Sequence, residues 1–491
     1  MVCNSCGIMA IDRDDPTSAA DPPDAHPPAT DPPVNGDLAH RFGRAVERLV
    51  GADLQRGEGR LVFIFFANLF LLLTAYYILK VIREPLILLG GGAVHRSYAR
   101  GLQALLLFVT IPAYSILANR VEPTRLVKGI MGFFLVCLAA FYLLGRLGVP
   151  LGFAFFVWLG IFSTLAIAQF WSLATDLLTE AEGKRLFPLV AAGGTIGGIV
   201  GSQIAARAAS FLDPYGLMVI AAALIFACLG LLHLTHREGQ RHRQLLPVNG
   251  KRIARDKRGG FTLILHDRYL LLIAVAVVLL NLINTTGDFV LARMVNAHAQ
   301  TLPPGTDPAR FIASFYGNFQ TYITVLTAII QIFVVARIFK KVGIGAALFI
   351  LPVIAVSGYG AAAAVPFLAV IATVKVIENS GDYSLQNTIG QALFLRTSRD
   401  AKYKAKAAVD TVFVRVGDLA STGLVFVGMQ VGLSALGFVL ANVVAGIGWL
   451  LVVAALARRY REGESLAVSG LPESGRLRPA VNQTLSSSVH P

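Results

Sequence analysis

The sequence predicts an all-α polytopic membrane protein with twelve transmembrane helices in two six-helix halves. Three observations carry that prediction. The 491 residues are 55% hydrophobic and only 15% charged, with a mean hydropathy of +0.64. Apolar runs repeatedly reach the roughly 20 residues that a spanning helix needs. These runs are continuous rather than alternating, which disfavours a barrel of strands.

The runs place spans at 61–89, 101–118, 126–144, 151–176, 186–207, 215–235, 269–294, 316–336, 342–364, 366–393, 407–430 and 434–457. Pro85 falls just after three charges in the first span and can bend the helix there. Spans 4 and 10 each run into a short charged inner loop, 179–185 and 396–402. Span 5 carries Gly193, Gly197 and Gly201 at four-residue spacing, so one face is nearly bare backbone. Such a face serves static close packing or a sliding interface between halves. Spans 1 and 7 both carry polar groups near their outer thirds, Arg83 and Glu84 in one, Asn284, Thr285, Thr286 and Asp288 in the other.

Basic residues collect on alternate sides of these spans. One side holds Arg41, Arg44, Arg48, Arg56 and Arg60, then Arg120, Arg125 and Lys128, then Lys184 and Arg185, then the basic segment from Arg237 to Arg268. Arg337, Lys340 and Lys341 follow, then Arg396 to Lys406, then Arg458, Arg459 and Arg461. The other side has only Arg96, Arg100, Arg146, Arg207, Arg293 and Arg310. That asymmetry is the positive-inside signature, so both termini are expected in the cytoplasm and the protein in the cell (inner) membrane. It also accounts for the net charge of +14 without a nucleic-acid partner. The expected organisation is a disordered tail (1–45), a six-helix bundle (46–235), a basic linker (236–268), a second six-helix bundle (269–461) and a disordered tail (462–491). Two parallel six-helix halves around a central cavity are the major facilitator-like arrangement, with the solute site near the midplane.

Several function classes are disfavoured. The nine histidines sit in tails, loops or span ends, which removes a His-centred dyad or a buried metal cluster, and no enzyme is expected. Cys3 and Cys6 form a lone C-x-x-C without the second ligand pair that would specify zinc, while Cys137 and Cys228 lie within spans. No metal and no cofactor are expected. No cleavable signal peptide is evident in the first 40 residues.

Charges within the spans are the candidate site. A charge at the bilayer centre costs at least about 2.5–3.5 kcal/mol, so such groups face a protein interior or a watered cavity. They are Lys80, Arg83 and Glu84 in span 1, Asp288 in span 7, Lys375, Glu378 and Asp382 in span 10, and Arg415 and Asp418 in span 11. Lys375, Glu378 and Asp382 follow i, i+3, i+7 spacing, and Arg415, Asp418 and Thr422 repeat it, so each set forms a stripe in which i, i+3 charges can pair. Structural ion pairs, a solute-lining role and proton coupling through Glu378, Asp382 or Asp288 all remain open. Convergence of Lys80, Arg83, Lys375 and Arg415 would favour an anionic solute.

The stretch Phe170-Trp-Ser-Leu-Ala-Thr-Asp176, then Glu182-Gly-Lys-Arg-Leu-Phe-Pro188 and the glycine-rich span, resembles the ATP/ADP translocase family of bacterial and plastid nucleotide transporters. Ile78 to Leu86 resembles its first-span motif, with Lys80, Arg83 and Glu84 on the family's Arg, Lys and Asp. Asp382-Tyr-Ser-Leu385, Lys404 to Asp410 and Arg415-Val-Gly417 also follow family motifs in order. Leu159, Asp382 and Gly390-Gln391 stand where the family carries an acid, a lysine and a Lys-Glu pair. The resemblance implies a major facilitator-like fold and exchange of nucleotides, or a related anionic metabolite, across the lipid bilayer without ATP hydrolysis. Lys80, Arg83, Lys375 and Arg415 would bind the solute, with Glu84, Asp288, Glu378, Asp382 and Asp418 as pairing or coupling acids. A proton-coupled carrier of another solute and a non-transporting membrane sensor or scaffold are the alternatives.

Overall fold

A backbone in hydrocarbon has no water to hydrogen-bond, so an apolar run of spanning length folds as a helix that satisfies its own amides. The computed structural model describes residues 58–118, 120–121, 123–178, 180–244, 260–394, 397 and 405–468, and among the described residues there is no strand. The helices are α1 (Glu58–Ala118), α2 (Pro123–Arg146), α3 (Gly152–Leu177), α4 (Glu180–Ala208), α5 (Pro214–Gln244), α6 (Gly260–His266), α7 (Arg268–Gln300) and α8 (Pro308–Ile329). They continue with α9 (Val335–Ala347), α10 (Ile350–Ala364), α11 (Leu368–Gly381), α12 (Asn387–Phe394), α13 (Lys406–Ala408), α14 (Val414–Gln430) and α15 (Ala435–Val468). Single π-helical turns at Ile330–Val334, Asp382–Gln386 and Val409–Phe413 join α8 to α9, α11 to α12 and α13 to α14. Local chemistry sets the starts of α7 and α8. Asp267 accepts from the amides of Tyr269 and Leu270, and Asp307 from that of Ala309 next to Pro308.

Among the described residues nine helices are long and apolar enough to cross a bilayer, against the twelve spans expected. The first two expected spans form the two limbs of α1, which turns back at Gly92 (φ 70°, ψ −172°) within the gap expected between them and stays helical through Pro85. α10 has only 15 residues, and the tenth expected span is interrupted by the π turn that begins at Asp382. Boundaries differ too. α5 runs to Gln244, inside the expected linker, α6 occupies the linker's far end, and α15 continues to Val468, beyond the boundary expected at 461. The tail 1–45 with Cys3 and Cys6, linker residues 245–259, most of the loop 396–402, and the chain beyond 468 lie outside the described residues.

Two apolar clusters form the core. One is drawn from α1 to α5 with Ala313 of α8; the other spans residues 264–460 and takes in Ile87, Leu88, Ala93 and Ala99 of α1 and Phe156 and Val157 of α3. Outside these clusters, Val109, Phe133, Phe226, Val444 and Leu451 are each more than 60% exposed, the inverse of a water-soluble surface and the pattern a lipid-facing one requires. Within the first half, α4 lies directly on α1. A Cβ on Gly193, Gly197 or Gly201 would strike the carbonyl oxygens of Phe66, Phe70 and Thr74, which recur along α1 at the same four-residue spacing. The opposite side of α4 meets α8, where Ser202 Oγ and Thr321 Oγ1 are 2.8 Å apart and Gln203 Nε2 donates to Thr321 Oγ1 at 2.9 Å.

Candidate functional site

Gly92 creates the site. Twelve residues of straight helix span about 18 Å, yet Arg96 Nε lies 2.6 Å from Glu84 Oε2, so α1 folds back on itself at the glycine. Only glycine adopts this backbone conformation readily. Glu84 also accepts from Arg83 Nε at 3.0 Å, and all three side chains are buried. The two guanidinium groups lie over one aromatic ring, with Arg83 Cζ 4.3 Å and Arg96 Cζ 5.7 Å from the centre of Phe156. Delocalised cations favour such a face once they leave water.

A longer chain of polar contacts crosses from the second half to the first. Tyr359 donates to Glu378 Oε2 at 2.7 Å, and Lys375 Nζ lies 2.9 Å from the same oxygen. Lys375, with no exposed surface, also reaches Asp288 Oδ1 at 3.2 Å and donates to the backbone carbonyl of Asn284 at 2.9 Å. The other Asp288 oxygen accepts from Arg100 Nη1 at 3.0 Å, which donates to Thr285 Oγ1 at 3.2 Å as well. Thr285 donates to Asp418 Oδ1 at 2.8 Å, and Asp418 Oδ2 pairs with Arg415 Nη1 at 3.1 Å. One run of charge-assisted bonds thus links α10, α11, α7, the returning limb of α1 and α14. Thr422 Oγ1, 3.3 Å from the Ser97 carbonyl, adds a second tie between α14 and that limb.

The sequence-expected residues divide cleanly. Arg83, Glu84, Asp288, Lys375, Glu378, Arg415 and Asp418 each face an opposite charge, and the i, i+3 pairs Lys375–Glu378 and Arg415–Asp418 form as their spacing suggests. Asp382 leaves its stripe, because the π turn begins at it, and accepts from Asn284 Nδ2 at 3.3 Å. Lys80 is half-buried, with Nζ 5.1 Å from the centre of the Tyr77 ring and no carboxylate within 4.0 Å among the described residues. In this cluster Lys80, Arg83, Arg96, Arg100, Lys375 and Arg415 outnumber Glu84, Asp288, Glu378, Asp382 and Asp418 by one formal charge. The surplus is positive, and the residue without a carboxylate partner is Lys80.

Arg96 and Arg100, expected in an outer loop, are helical residues of α1 that carry two of these six ion pairs. Their signal was their own i, i+4 spacing, twelve residues after Glu84. Thr285 was already marked among the polar groups of span 7, whereas Phe156 and Tyr359 gave no signal, because an aromatic inside an apolar run costs nothing visible.

Comparison with known proteins agrees with the family resemblance. Residues 154–375 match the family model described as TLC ATP/ADP transporter. The ADP,ATP carrier protein 1 of Chlamydia trachomatis serovar D is 22% identical over 315 residues, covering 55% of this chain and 58% of that protein. The chain therefore spans somewhat over half the length of this relative. The motifs around Lys80 and Arg415 lie outside the matched 154–375 segment. Among solved structures, a bacterial homologue of the iron transporter ferroportin in an inward-facing state superposes with a TM-score of 0.59 at 10% identity, over 81% of this chain and 98% of that one. A bacterial homologue of the human lysosomal transporter Spinster, inward-facing and unoccupied, gives 0.56 at 13% identity over 84% and 99%. The nucleoside transporter NupG gives 0.56 at 12% identity over 82% and 99%. At these identities the likeness is one of fold: the chain has the helical fold of major facilitator-like transporters.

Proposed function

We propose that this protein is a secondary transporter that exchanges nucleotides, or a related phosphorylated metabolite, across the cell's inner membrane by alternating access, with both termini in the cytoplasm. The observation that carries the reading is the ion network that Arg100–Asp288 extends across the two halves, together with Lys80, the cation of this cluster with no carboxylate within 4.0 Å among the described residues. Lys80 takes the anionic group of the solute. Arg83, Lys375 and Arg415 are held by Glu84, Asp288, Glu378 and Asp418 within their own halves in this state, so they reach solute only when those pairs exchange partners.

This arrangement favours exchange over uniport. Carrying an uncompensated Lys80 through the closed state costs at least about 2.5–3.5 kcal/mol, so the empty carrier returns slowly. A bound phosphate neutralises Lys80 and lowers that cost in both directions. Binding energy is spent on the conformational step, and no ATP hydrolysis is involved.

Uptake of labelled nucleotides and sugar phosphates into proteoliposomes tests the reading. Flux is expected only when the vesicles are preloaded with counter-solute, and Lys80→Gln is expected to reduce it at least about tenfold, the equivalent of one lost ionic contact. Uptake into empty vesicles driven by an imposed pH gradient would instead identify a proton-coupled carrier. Absence of flux for every solute, with Lys80→Gln leaving the cellular phenotype intact, would make the protein a sensor or scaffold on a transporter fold.

A further inference from the structure

At the basic end of the molecule, far from the ion network, α9 bends at Gly343 (φ 74°) and leaves a cavity of about 320 Å³ against the last turns of α15. Phe339, Gly343, Gly345, Tyr460 and Arg461 are among its walls. A volume of this size falls in the range of ligand pockets, about 300–1,000 Å³. Gly345 faces this space: a Cβ there would sit 3.8 Å from Arg461 Nε and 3.9 Å from Tyr460 Cδ1, in ordinary contact rather than collision. Lys340 and Lys341 stand between the lining residues Phe339 and Val342, and Arg458 and Arg459 immediately precede Tyr460. All four, and Arg461, are exposed, and among the described residues none has a carboxylate within 4.0 Å.

Arg461 lines the cavity and the other four cations adjoin its lining residues in the chain, with Glu462 following Arg461, so the local surplus is positive and favours an anion. The surface leading away from the cavity says which anion. Ile332, Phe333 and Val342 on the α8–α9 side and Leu451 on α15 are large apolar side chains, each more than half exposed. Val342 lines the cavity and the others belong to the exposed apolar surface of the same two segments, so a ligand with both a phosphate and hydrocarbon chains suits this region, and a free phosphate suits only its basic part. We propose that this groove between α9 and α15 binds the headgroup of an anionic phospholipid, with Lys341 and Arg461 on the phosphate and the acyl chains along Ile332 and Phe333. Basic pockets between membrane helices at the cytoplasmic surface take such headgroups. This proposal does not depend on the transport reading.

The test is thermal unfolding of the purified full-length protein in a neutral detergent, titrated with phosphatidylglycerol, phosphatidylcholine or glycerol 3-phosphate. Phosphatidylglycerol alone is expected to raise the transition temperature in a saturable manner. Lys341→Gln with Arg461→Gln is expected to raise the half-saturating concentration by about fivefold per charge. Lys128→Gln with Arg120→Gln removes the same charge from the same end of the molecule, outside the groove, and is expected to leave the response unchanged. Gly345→Leu, which fills the cavity while keeping every cation, is expected to abolish it. An equal response to phosphatidylcholine, or to glycerol 3-phosphate at the same concentration, overturns the lipid assignment. Equal losses from the two charge pairs, or a full response in Gly345→Leu, show diffuse attraction and overturn the site.

Discussion

Lys375 is fully buried, and its ammonium group contacts two carboxylates and a carbonyl, so its removal strands charge where water cannot reach. Breaking a buried pair by deleting one partner costs about 3–5 kcal/mol, and Lys375→Met is expected to fall in that range by chemical unfolding in detergent. Lys375→Met combined with Glu378→Gln should recover about 0.5–3 kcal/mol of that loss through coupling; strict additivity would mean that the pair does not interact. Lys80 makes the opposite prediction. Without a carboxylate to strand, Lys80→Gln is expected to raise stability, because it removes an uncompensated charge, while removing exchange. At this scale the sequence was legible wherever a residue broke a rule. A charge in an apolar run is an anomaly, and every such charge named from sequence falls in or beside the network. Tyr359, which completes the Glu378 site, and Phe156, which covers two guanidinium groups, obey the local pattern and so were invisible.

Helix α4 meets α1 through backbone rather than side chains. Gly197→Val should force the two helices apart at the Phe70 carbonyl, with the about 1–3 kcal/mol loss typical of overpacking, read as a lower transition temperature. Gly129 on α2 has nothing within 4 Å of a Cβ, so Gly129→Ala is expected to be neutral or to stabilise by up to about 1 kcal/mol through helix propensity. If both substitutions behave alike, the α1–α4 contact has no special role. Gly92 tests a different property. Gly92→Ala must hold φ near 70° with ψ near −172°, a conformation costing about 1–3 kcal/mol for a residue with a Cβ, or let the returning limb move and pull Arg96 from Glu84. The elements themselves were legible from apolar run length alone, which places nearly every helix. The turn between 89 and 101 was legible as a gap between apolar runs; that the single residue Gly92 makes it with helix on both sides was not, because proline advertises a kink and glycine merely permits one, and Pro85 stayed helical.

Besides the apolar packing of α1 and α3 against the second half, a small set of polar contacts ties the two halves together. Arg100–Asp288 and Ser97–Thr422 join the returning limb of α1 to α7 and α14, while Ser202 and Gln203 with Thr321, and Arg310 with the Ser210 carbonyl, join α4 and its following loop to α8. Arg100–Asp288 is the only ion pair among these ties, and it is partly exposed, with side chains 23% and 16% accessible. A gate of this kind is bistable rather than elastic, because a charge pair is either made or broken. Losing as little as about 1.4 kcal/mol from the closed state changes its population ratio tenfold. Arg100→Gln is therefore expected to favour opening on the side remote from Arg60 while Lys375 still compensates Asp288. The measurement is labelling of Tyr76→Cys, at a partly buried position one turn before Lys80 on α1, in a background with Cys3, Cys6, Cys137 and Cys228 replaced by serine, using a thiol reagent that cannot cross the membrane. Added from the outer side, the reagent should modify Tyr76→Cys slowly with Arg100 present and about tenfold faster with Arg100→Gln. Saturating counter-solute should move both rates, because a ligand shifts the equilibrium by its difference in affinity for the two states. Equal labelling rates with and without Arg100 would show that this ion pair does not hold the outer side closed, and the gate would then have to be sought in the α4–α8 contacts.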